Sequence, residues 1–152
     1  MQIATKLQQL FRQYQYAFMH YDMDELQQCY HLPCTLNTPD KILLIKSEND
    51  FLQEFDAIFT QLKSAQTSNI VAKQCSFEQI SQQLYLVCIA WDFIDGHGEV
   101  FADFAAIYHV LDCKHNINEI ESSAIRKNTV KIINVVSHEL DSALTLSEQL
   151  SW

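Results

Sequence analysis

Asp92, Asp103 and His109 are the side chains best suited to acid–base chemistry, because they lie in two apolar, strand-like segments joined by a turn. A carboxylate or a histidine that is desolvated inside a pocket can reach a pKa near neutrality and act as a general acid or base. With His109 as the base, such a group would serve an isomerase or a dehydratase. These roles require all three side chains to point into a pocket.

A second group consists of aromatic side chains that carry a polar atom, namely Tyr14, Tyr85, Trp91 and Tyr108. They are the candidate ligand-binding residues, through their hydroxyls and the indole N–H, and core packing is the plainer alternative for all four. A tyrosine hydroxyl can stabilise a developing oxyanion, but it is a poor base at pH 7. This group therefore favours binding over proton abstraction.

Metal, cofactor and nucleophile chemistry finds little support. Cys29 and Cys34 are four residues apart, wider than a typical zinc pair, and no partner pair follows. His138 lacks a second histidine four residues further on. Both glycines occupy one turn, so no glycine loop is left to hold a phosphate. Cys88 would need a neighbouring histidine. We predict neither a metal ion nor a cofactor.

Two polar residues flank the predicted second helix, near the expected mouth of a pocket. Asp22 precedes this helix and His31 follows it. Either could serve an enzyme there, but solvated cap and loop roles fit their positions better.

The turn Asp95-Gly96-His97-Gly98 predicts which residues of the two flanking strands pair with each other. A two-residue loop of Gly96 and His97 pairs Asp95 with Gly98. Side chains alternate along a strand, so this register separates two faces. The predicted core face carries Tyr85, Val87, Ile89, Trp91 and Phe93 opposite Tyr108, Ala106, Phe104, Ala102 and Val100. Asp92, Asp103 and His109 fall on the other face, and a slip of one residue would bring them inward.

The other face is mixed, with small residues at its centre and Asp92, Asp103 and His109 towards its ends. This face is too apolar to be fully exposed to water and too polar to be buried in the centre of a core. A sheet from a second copy of the chain would cover it, so we predict a homodimer.

The pattern of apolar residues predicts an α+β fold in one domain, residues 1–152, with three N-terminal helices covering a strongly curved antiparallel sheet. Helices begin at Ile3, Asp22 and Ser47, and Pro33 ends the second. A loop insertion is expected over Lys114–Asn128 and a short helix within residues 138–152, through Leu140 and Leu144. The predicted strands are Cys34–Asn37, Lys41–Ile45, Asn69–Gln79, Leu84–Asp95, Glu99–Asp112 and Val130–Ser137.

Composition excludes several classes of partner. The formal charge of −9 argues against nucleic acid and anionic membranes, both of which require clustered Lys and Arg. Five cysteines, an odd number at irregular spacing, favour free thiols and a reducing cytoplasm. The N-terminus is amphipathic and lacks the apolar run of a signal peptide.

The order of elements resembles that of the nuclear transport factor 2-like superfamily, which includes SnoaL-like polyketide cyclases and ketosteroid-isomerase-like enzymes. The residues that carry the resemblance, over about residues 3–138, are Phe18 and Tyr21 before Asp22–Leu26, Tyr30 to Pro33, Ser47, Asp50 and Phe51, Trp91 to Gly96, Phe104 to Tyr108, and Val130-Lys131-Ile132. It implies a hydrophobic pocket between helices and sheet, and often a dimer through the sheet. The 114–128 segment is longer than expected, and the glycine-rich cyclase signature is absent.

We therefore expect a homodimeric domain that binds a small apolar or aromatic molecule. One alternative is an isomerase, dehydratase or cyclase acting on a cyclic carbonyl compound, and another is a protein-interaction module.

Overall fold

The computed structural model describes residues 2–113, 129–138 and 144–151. The predicted insertion, residues 114–128, and Leu140 lie outside the described residues. The helices are α1 (Ile3–His20), α2 (Met23–Gln28) and α3 (Glu48–Ser64). The strands are β1 (Tyr30–Asn37), β2 (Ile42–Ile45), β3 (Thr67–Gln79), β4 (Leu84–Asp95), β5 (Val100–Asp112), β6 (Val130–His138) and β7 (Glu148–Gln149).

Side-chain caps fix the starts of α2 and α3. The carboxylate of Asp22 accepts a hydrogen bond from the N–H of Glu25 at 3.1 Å, and the Ser47 hydroxyl accepts one from the N–H of Asp50 at 3.1 Å. Each bond satisfies an N–H that the first helical turn leaves without a partner. The prediction that Pro33 ends the second helix was wrong. That helix ends at Gln28, and Pro33 lies inside β1.

The α+β prediction is confirmed: three helices pack on one face of a curved, mostly antiparallel sheet. The strand order is β2-β1-β6-β5-β4-β3-β7, and β1 and β6 form the one parallel pair among the described strands. Phenylalanines of α1 and α3 pack against Trp91 and Tyr108 of the sheet in one core. We call the sheet face that carries these two side chains the core face, and the opposite one the outer face.

The predicted loop of the β4–β5 hairpin was one residue too short. Gly98, with φ +81°, donates its N–H to the carbonyl of Asp95, and the N–H of Asp95 pairs with Glu99. This is a three-residue loop in which a glycine takes the left-handed conformation. Beside it, Phe93 pairs with Ala102 and Ile94 with Val100, so one residue of β5 is left over as a bulge.

Loop and bulge together move the register by two residues, which is a whole period of a strand. Trp91 therefore lies opposite Phe104 instead of Ala102. A shift of two leaves each side chain on its face, whereas a shift of one would reverse them all. Trp91 and Tyr108 are each 1% exposed on the core face, while Asp103 is exposed on the outer face.

The short helix predicted within residues 138–152 is not found over residues 144–150, and residues 139–143 lie outside the described part of the chain. Residues 144–150 run along the far edge of the sheet, where β7 pairs with β3. Ser76, on the outer face, donates its hydroxyl to the carbonyl of Leu144 at 3.3 Å and accepts the N–H of Leu146 at 3.0 Å. Leu150 is buried in the core. We call residues 144–150 the C-terminal clasp.

The outer face is partly buried within a single chain. Ser76, Cys88 and Ala105 are 0%, 1% and 3% exposed, although all three point away from the helices. A second copy of the chain is therefore not required to cover the centre of this face.

Over the part of the chain that the structure describes, no helix combines the length and the apolar character needed to cross a membrane.

Candidate functional site

A cavity of about 190 Å³ lies between α1, α3 and the core face of the sheet. It is found at the end of the sheet where β1, β4 and β6 finish and β5 begins. Fourteen residues line it, namely Tyr14, Phe18, Tyr30, Leu36, Asn37, Thr38, Phe55, Ile58, Phe93, Phe104, Ala106, Tyr108, Val135 and Ser137.

Aromatic rings dominate the wall. Tyr14 lies between several of them, with ring centroids 4.8 Å from Phe18, 5.6 Å from Tyr108 and 5.9 Å from Trp91. None of the described lining residues carries a carboxylate, an amine, a guanidinium or an imidazole. The polar atoms at the cavity are therefore hydroxyls, the Asn37 amide and backbone groups.

Two of these hydroxyls, those of Tyr108 and Tyr14, form a chain of hydrogen bonds with the indole of Trp91. The indole N–H of Trp91 donates to the hydroxyl of Tyr108 at 2.9 Å. An indole nitrogen can only donate, so the Tyr108 oxygen is the acceptor. The hydroxyl proton of Tyr108 remains available for a second hydrogen bond. The Tyr108 hydroxyl donates to that of Tyr14 at 3.3 Å. The oxygen of Tyr14 is therefore an acceptor.

Burial keeps the tyrosine hydroxyls protonated. It raises the pKa of Tyr14 to about 12, and hydrogen bonds with Tyr108 and Tyr30 act in the opposite direction. Burial is also the main reason why the pKa of Tyr30 and of Tyr108 lies well above the ordinary value. All three groups can therefore donate a proton in a hydrogen bond at neutral pH, and none of them can act as a base there.

A second, smaller cavity of about 20 Å³ adjoins the first on the side of Trp91. It shares five lining residues with the larger cavity, namely Tyr14, Phe18, Phe93, Phe104 and Tyr108. A space of this size holds about one water molecule.

Two of the four candidate ligand-binding residues line the larger cavity, and the other two do not. Tyr14 and Tyr108 line the larger cavity, and Trp91 reaches only the smaller one. Tyr85 lines neither of them. It is 6% exposed in the core, and its pKa is raised by burial and by the nearby carboxylate of Asp112.

Several lining residues were not among the candidates. Tyr30 was assigned to the second helix, whereas it opens β1 and faces the cavity. Phe18 and Phe55 belong to apolar helical stripes that the sequence shows, but such a stripe does not reveal which of its rings border empty space.

Asp92, Asp103 and His109 do not reach the cavity. Asp92 pairs with Asp103 across the outer face, and Lys73 holds the Asp92 carboxylate at 2.8 Å. The Nδ1 atom of His109 lies 2.9 Å from the amide nitrogen of Asn134 on the same face. The three side chains thus do not form an acid–base group at this site.

Other candidates have structural contacts. The carboxylate of Asp22 caps α2, as described above. The five cysteines are buried and free, and burial raises the pKa of Cys29 and of Cys75 to about 12. Within the described residues, no group of three or more His, Cys, Asp and Glu side chains could hold a metal ion.

A family model described as NTF2-like protein (DUF6841) matches residues 5–120, more than half of the 152-residue chain. The chain belongs to this family. The resemblance to the nuclear transport factor 2-like superfamily is thereby confirmed.

Solved structures share the NTF2-like fold at low sequence identity. An NTF-2 like protein of unknown function from Shewanella oneidensis MR-1 has a TM-score of 0.64 at 13% identity, over 89% of this chain and 98% of that one. A domain of unknown function with a cystatin-like fold from Nostoc punctiforme PCC 73102 has a TM-score of 0.68 at 13% identity, over 91% and 77%.

A third similar structure is a ketosteroid isomerase-like protein from Erwinia carotovora atroseptica SCRI1043, with a TM-score of 0.60 at 11% identity, over 89% and 94% of the two chains. At such identities the likeness shows the fold alone. A comparison with curated proteins gives no match.

Proposed function

We propose that this NTF2-like domain binds a small apolar or aromatic molecule of one or two rings in the cavity between its helices and its sheet. The observation that carries the proposal is the cavity of about 190 Å³, whose described lining is aromatic or aliphatic apart from hydroxyls and one amide. Ligand sites are typically concave and apolar, with a few polar groups that orient the ligand.

The volume limits the size of the ligand. An apolar cavity of about 150 Å³ binds benzene, whereas sites for drug-sized ligands measure about 300–1,000 Å³. A cavity of 190 Å³ therefore suits one ring or two fused rings. A four-ring steroid would require the walls to move.

Thermal shift and NMR titration with indole, naphthalene and ethylbenzene test the proposal. A ligand at 100 times its Kd should raise Tm by roughly 5–10 °C. Substitution Ala106→Leu, in the cavity wall, should abolish the shift by filling the space. Ala102→Leu on the same strand is the matched control, because Ala102 does not line the cavity. If none of the three compounds shifts Tm or any resonance of a lining residue, the proposal fails.

An isomerase, dehydratase or cyclase acting on a cyclic carbonyl compound is the second candidate. The similarity to the Erwinia protein described as ketosteroid isomerase-like and the protonated hydroxyl of Tyr14 favour it. Against it stands the lack of a carboxylate or a histidine among the described lining residues. Release of a proton from a cyclic ketone into deuterated water, followed by NMR, distinguishes an enzyme from a binder.

We also propose a homodimer that uses the part of the outer face away from the C-terminal clasp. The half-buried side chains of Leu86, Ile107 and Val136 there support it. Analytical ultracentrifugation tests it, and a monomer at micromolar concentration would leave this face open to another protein, as in an interaction module.

The five buried, free thiols support our proposal of a reducing cytoplasm as the compartment.

A further inference from the structure

We infer that the open edge of β2 is a docking site for an extended segment of a partner protein in which basic and apolar residues alternate. The segment adds to the sheet as an antiparallel strand beside β2, and its basic side chains point to α3. This inference concerns a surface separate from the cavity, so it does not depend on the ligand proposed above.

β2 ends the sheet on one side, and β1 is its one neighbour among the described strands. Thr38 donates its N–H to the carbonyl of Lys41 at 2.9 Å, and hydrogen-bonded pairs alternate along an antiparallel ladder. The N–H and C=O groups of Ile42 and Leu44 therefore point to the open edge, where no described residue bonds to them. Such a row of backbone groups can pair with a strand from another chain.

Apolar side chains accompany this backbone edge. Ile42 is 80% exposed and Leu44 is 50% exposed. Because Ile45 is buried in the core and side chains alternate along a strand, Ile42 and Leu44 point to the outer face. Every second side chain of an added strand lies beside them there. Valine or isoleucine at these positions of the partner would cover part of the exposed apolar surface.

A groove of about 250 Å³ lies between β2 and the N-terminal half of α3. Three polar side chains of α3 line it, those of Asp50, Gln53 and Glu54. The amine of Lys41 holds the carboxylate of Glu54 at 3.1 Å, whereas Asp50 forms no ion pair with a described residue. The remaining side chains of an added strand point to this groove, on the side of α3.

The charge of the region favours basic side chains at these positions. Residues 40–56 contain five carboxylates and two lysines, and the whole chain has a formal charge of −9. A lysine or arginine of the partner gains the carboxylate of Asp50 as a counter-charge, whereas an aspartate or glutamate is repelled. The predicted partner sequence therefore alternates Lys or Arg with Val or Ile along the four residues of β2.

A second copy of the chain fits this edge less well. When two β2 edges pair about a two-fold axis, α3 of each copy lies on the same face of the combined sheet. The carboxylates of Asp50 and Glu54 then approach those of the other copy. Like charges brought together at an interface oppose association, and a basic segment avoids this repulsion.

Two capped peptides test the inference, Lys-Val-Lys-Val-Lys and the charge-reversed Glu-Val-Glu-Val-Glu. In an NMR titration of the ¹⁵N-labelled protein, the basic peptide should shift the amide resonances of residues 41–46 and 48–54. Its Kd should rise with added NaCl, because salt screens exposed charges. The acidic peptide should not bind at the same concentrations.

Methylation of the peptide backbone tests the strand pairing. In the antiparallel arrangement, the residues opposite Ile42 and Leu44 are the two valines, and their N–H groups point to β2. N-methylation of both valines should therefore abolish binding. N-methylation of the middle lysine, whose N–H points away from β2, is the matched control and should leave the Kd within about 2-fold of its value.

Two substitutions test the protein side. Leu44→Pro removes an N–H at the open edge, where a proline is tolerated, and should weaken binding about 10-fold. Asp50→Asn removes the carboxylate and should weaken it about 2- to 5-fold. Asp56→Asn is the matched control with the same change in charge, because Asp56 is exposed on α3 outside the groove. It should bind as wild type does.

Several outcomes would overturn the inference. They are equal binding of the acidic peptide, binding that survives methylation of both valines, and a basic peptide that leaves residues 41–46 unshifted. Analytical ultracentrifugation of the protein alone tests the second copy. A wild-type dimer that Leu44→Pro converts to a monomer assigns the edge to another copy and also overturns the inference. None of these results depends on whether the cavity binds a ligand.

Discussion

The indole N–H of Trp91 lies 2.9 Å from the hydroxyl oxygen of Tyr108, and both side chains are almost completely buried. They stand on neighbouring strands of the core face, although Trp91 pairs with Phe104 and Tyr108 with Val87 in the ladder. The bond therefore joins two side chains that are not direct cross-strand partners. It makes the hydroxyl oxygen of Tyr108 a hydrogen-bond acceptor.

This bond predicts an energetic coupling between the two residues. Trp91→Phe removes the donor and part of the core volume, so it should lower the free energy of unfolding by about 1–3 kcal/mol. Tyr108→Phe removes the acceptor. In a double-mutant cycle measured by urea unfolding, the two changes should couple by about 0.5–1.5 kcal/mol. Strict additivity would show that the bond contributes nothing.

Stability should fall at alkaline pH because of Tyr14. The pKa of its hydroxyl is about 12 in the folded protein against 10.0 for an ordinary tyrosine. Below pH 10 both states keep the proton and Tyr14 has no effect. Between about pH 10 and 12 the unfolded chain releases the proton while the folded one retains it, so unfolding is favoured by up to about 2–3 kcal/mol.

Urea unfolding of wild type and Tyr14→Phe from pH 8 to 12 measures this contribution. The stability difference between the two proteins should change over the stated window and stay constant below it. Parallel curves throughout would contradict the raised pKa.

The hairpin loop should depend on Gly98 far more than on Gly96. Gly98 has φ +81° and nothing within 4 Å of the position of a Cβ atom, so Gly98→Ala adds backbone strain without a clash. We expect a loss of about 1–2 kcal/mol in the free energy of unfolding. Gly96→Ala meets atoms no closer than 3.7 Å and should change stability by less than about 0.5 kcal/mol. Equal losses would argue against the three-residue loop.

The C-terminal clasp should protect the thiol of Cys88. Ser76→Ala leaves the carbonyl of Leu144 and the N–H of Leu146 without their side-chain partner, at a cost of about 1–3 kcal/mol. Cys88 pairs with Ser76 in the ladder and is 1% exposed. Loosening of the clasp should therefore speed its reaction with a thiol reagent, read by mass spectrometry.

Cys29 is the internal control for that experiment. It is buried beneath the helices, with its Sγ 3.5 Å from the carbonyl of Glu25. Its rate should stay unchanged in Ser76→Ala. If Cys29 and Cys88 accelerate together, the variant loosens the whole domain rather than the clasp.

The sequence by itself determined the fold class, the helix starts and the two faces of the long hairpin. Asp22 and Ser47 act through hydrogen bonds to residues three positions along the chain, and such local bonds are visible in sequence. Side chains alternate along a strand with a period of two. This alternation places Trp91 and Tyr108 on one face of the hairpin and Asp103 and His109 on the other. That sorting survived a register error of two residues, because two is a whole period.

Only the tertiary structure decided the register, the cavity and the cover of the outer face. The energy of the bulge in β5, between Val100 and Ala102, depends on how β4 and β5 pack beside the hairpin loop, so no local pattern marks it. Tyr30 reaches the cavity because β1 runs beside β6, a strand about a hundred residues later in the chain. The cavity and the burial of the outer face depend on how elements distant in sequence pack together. The periodicity of a sequence specifies only which side of each element is apolar.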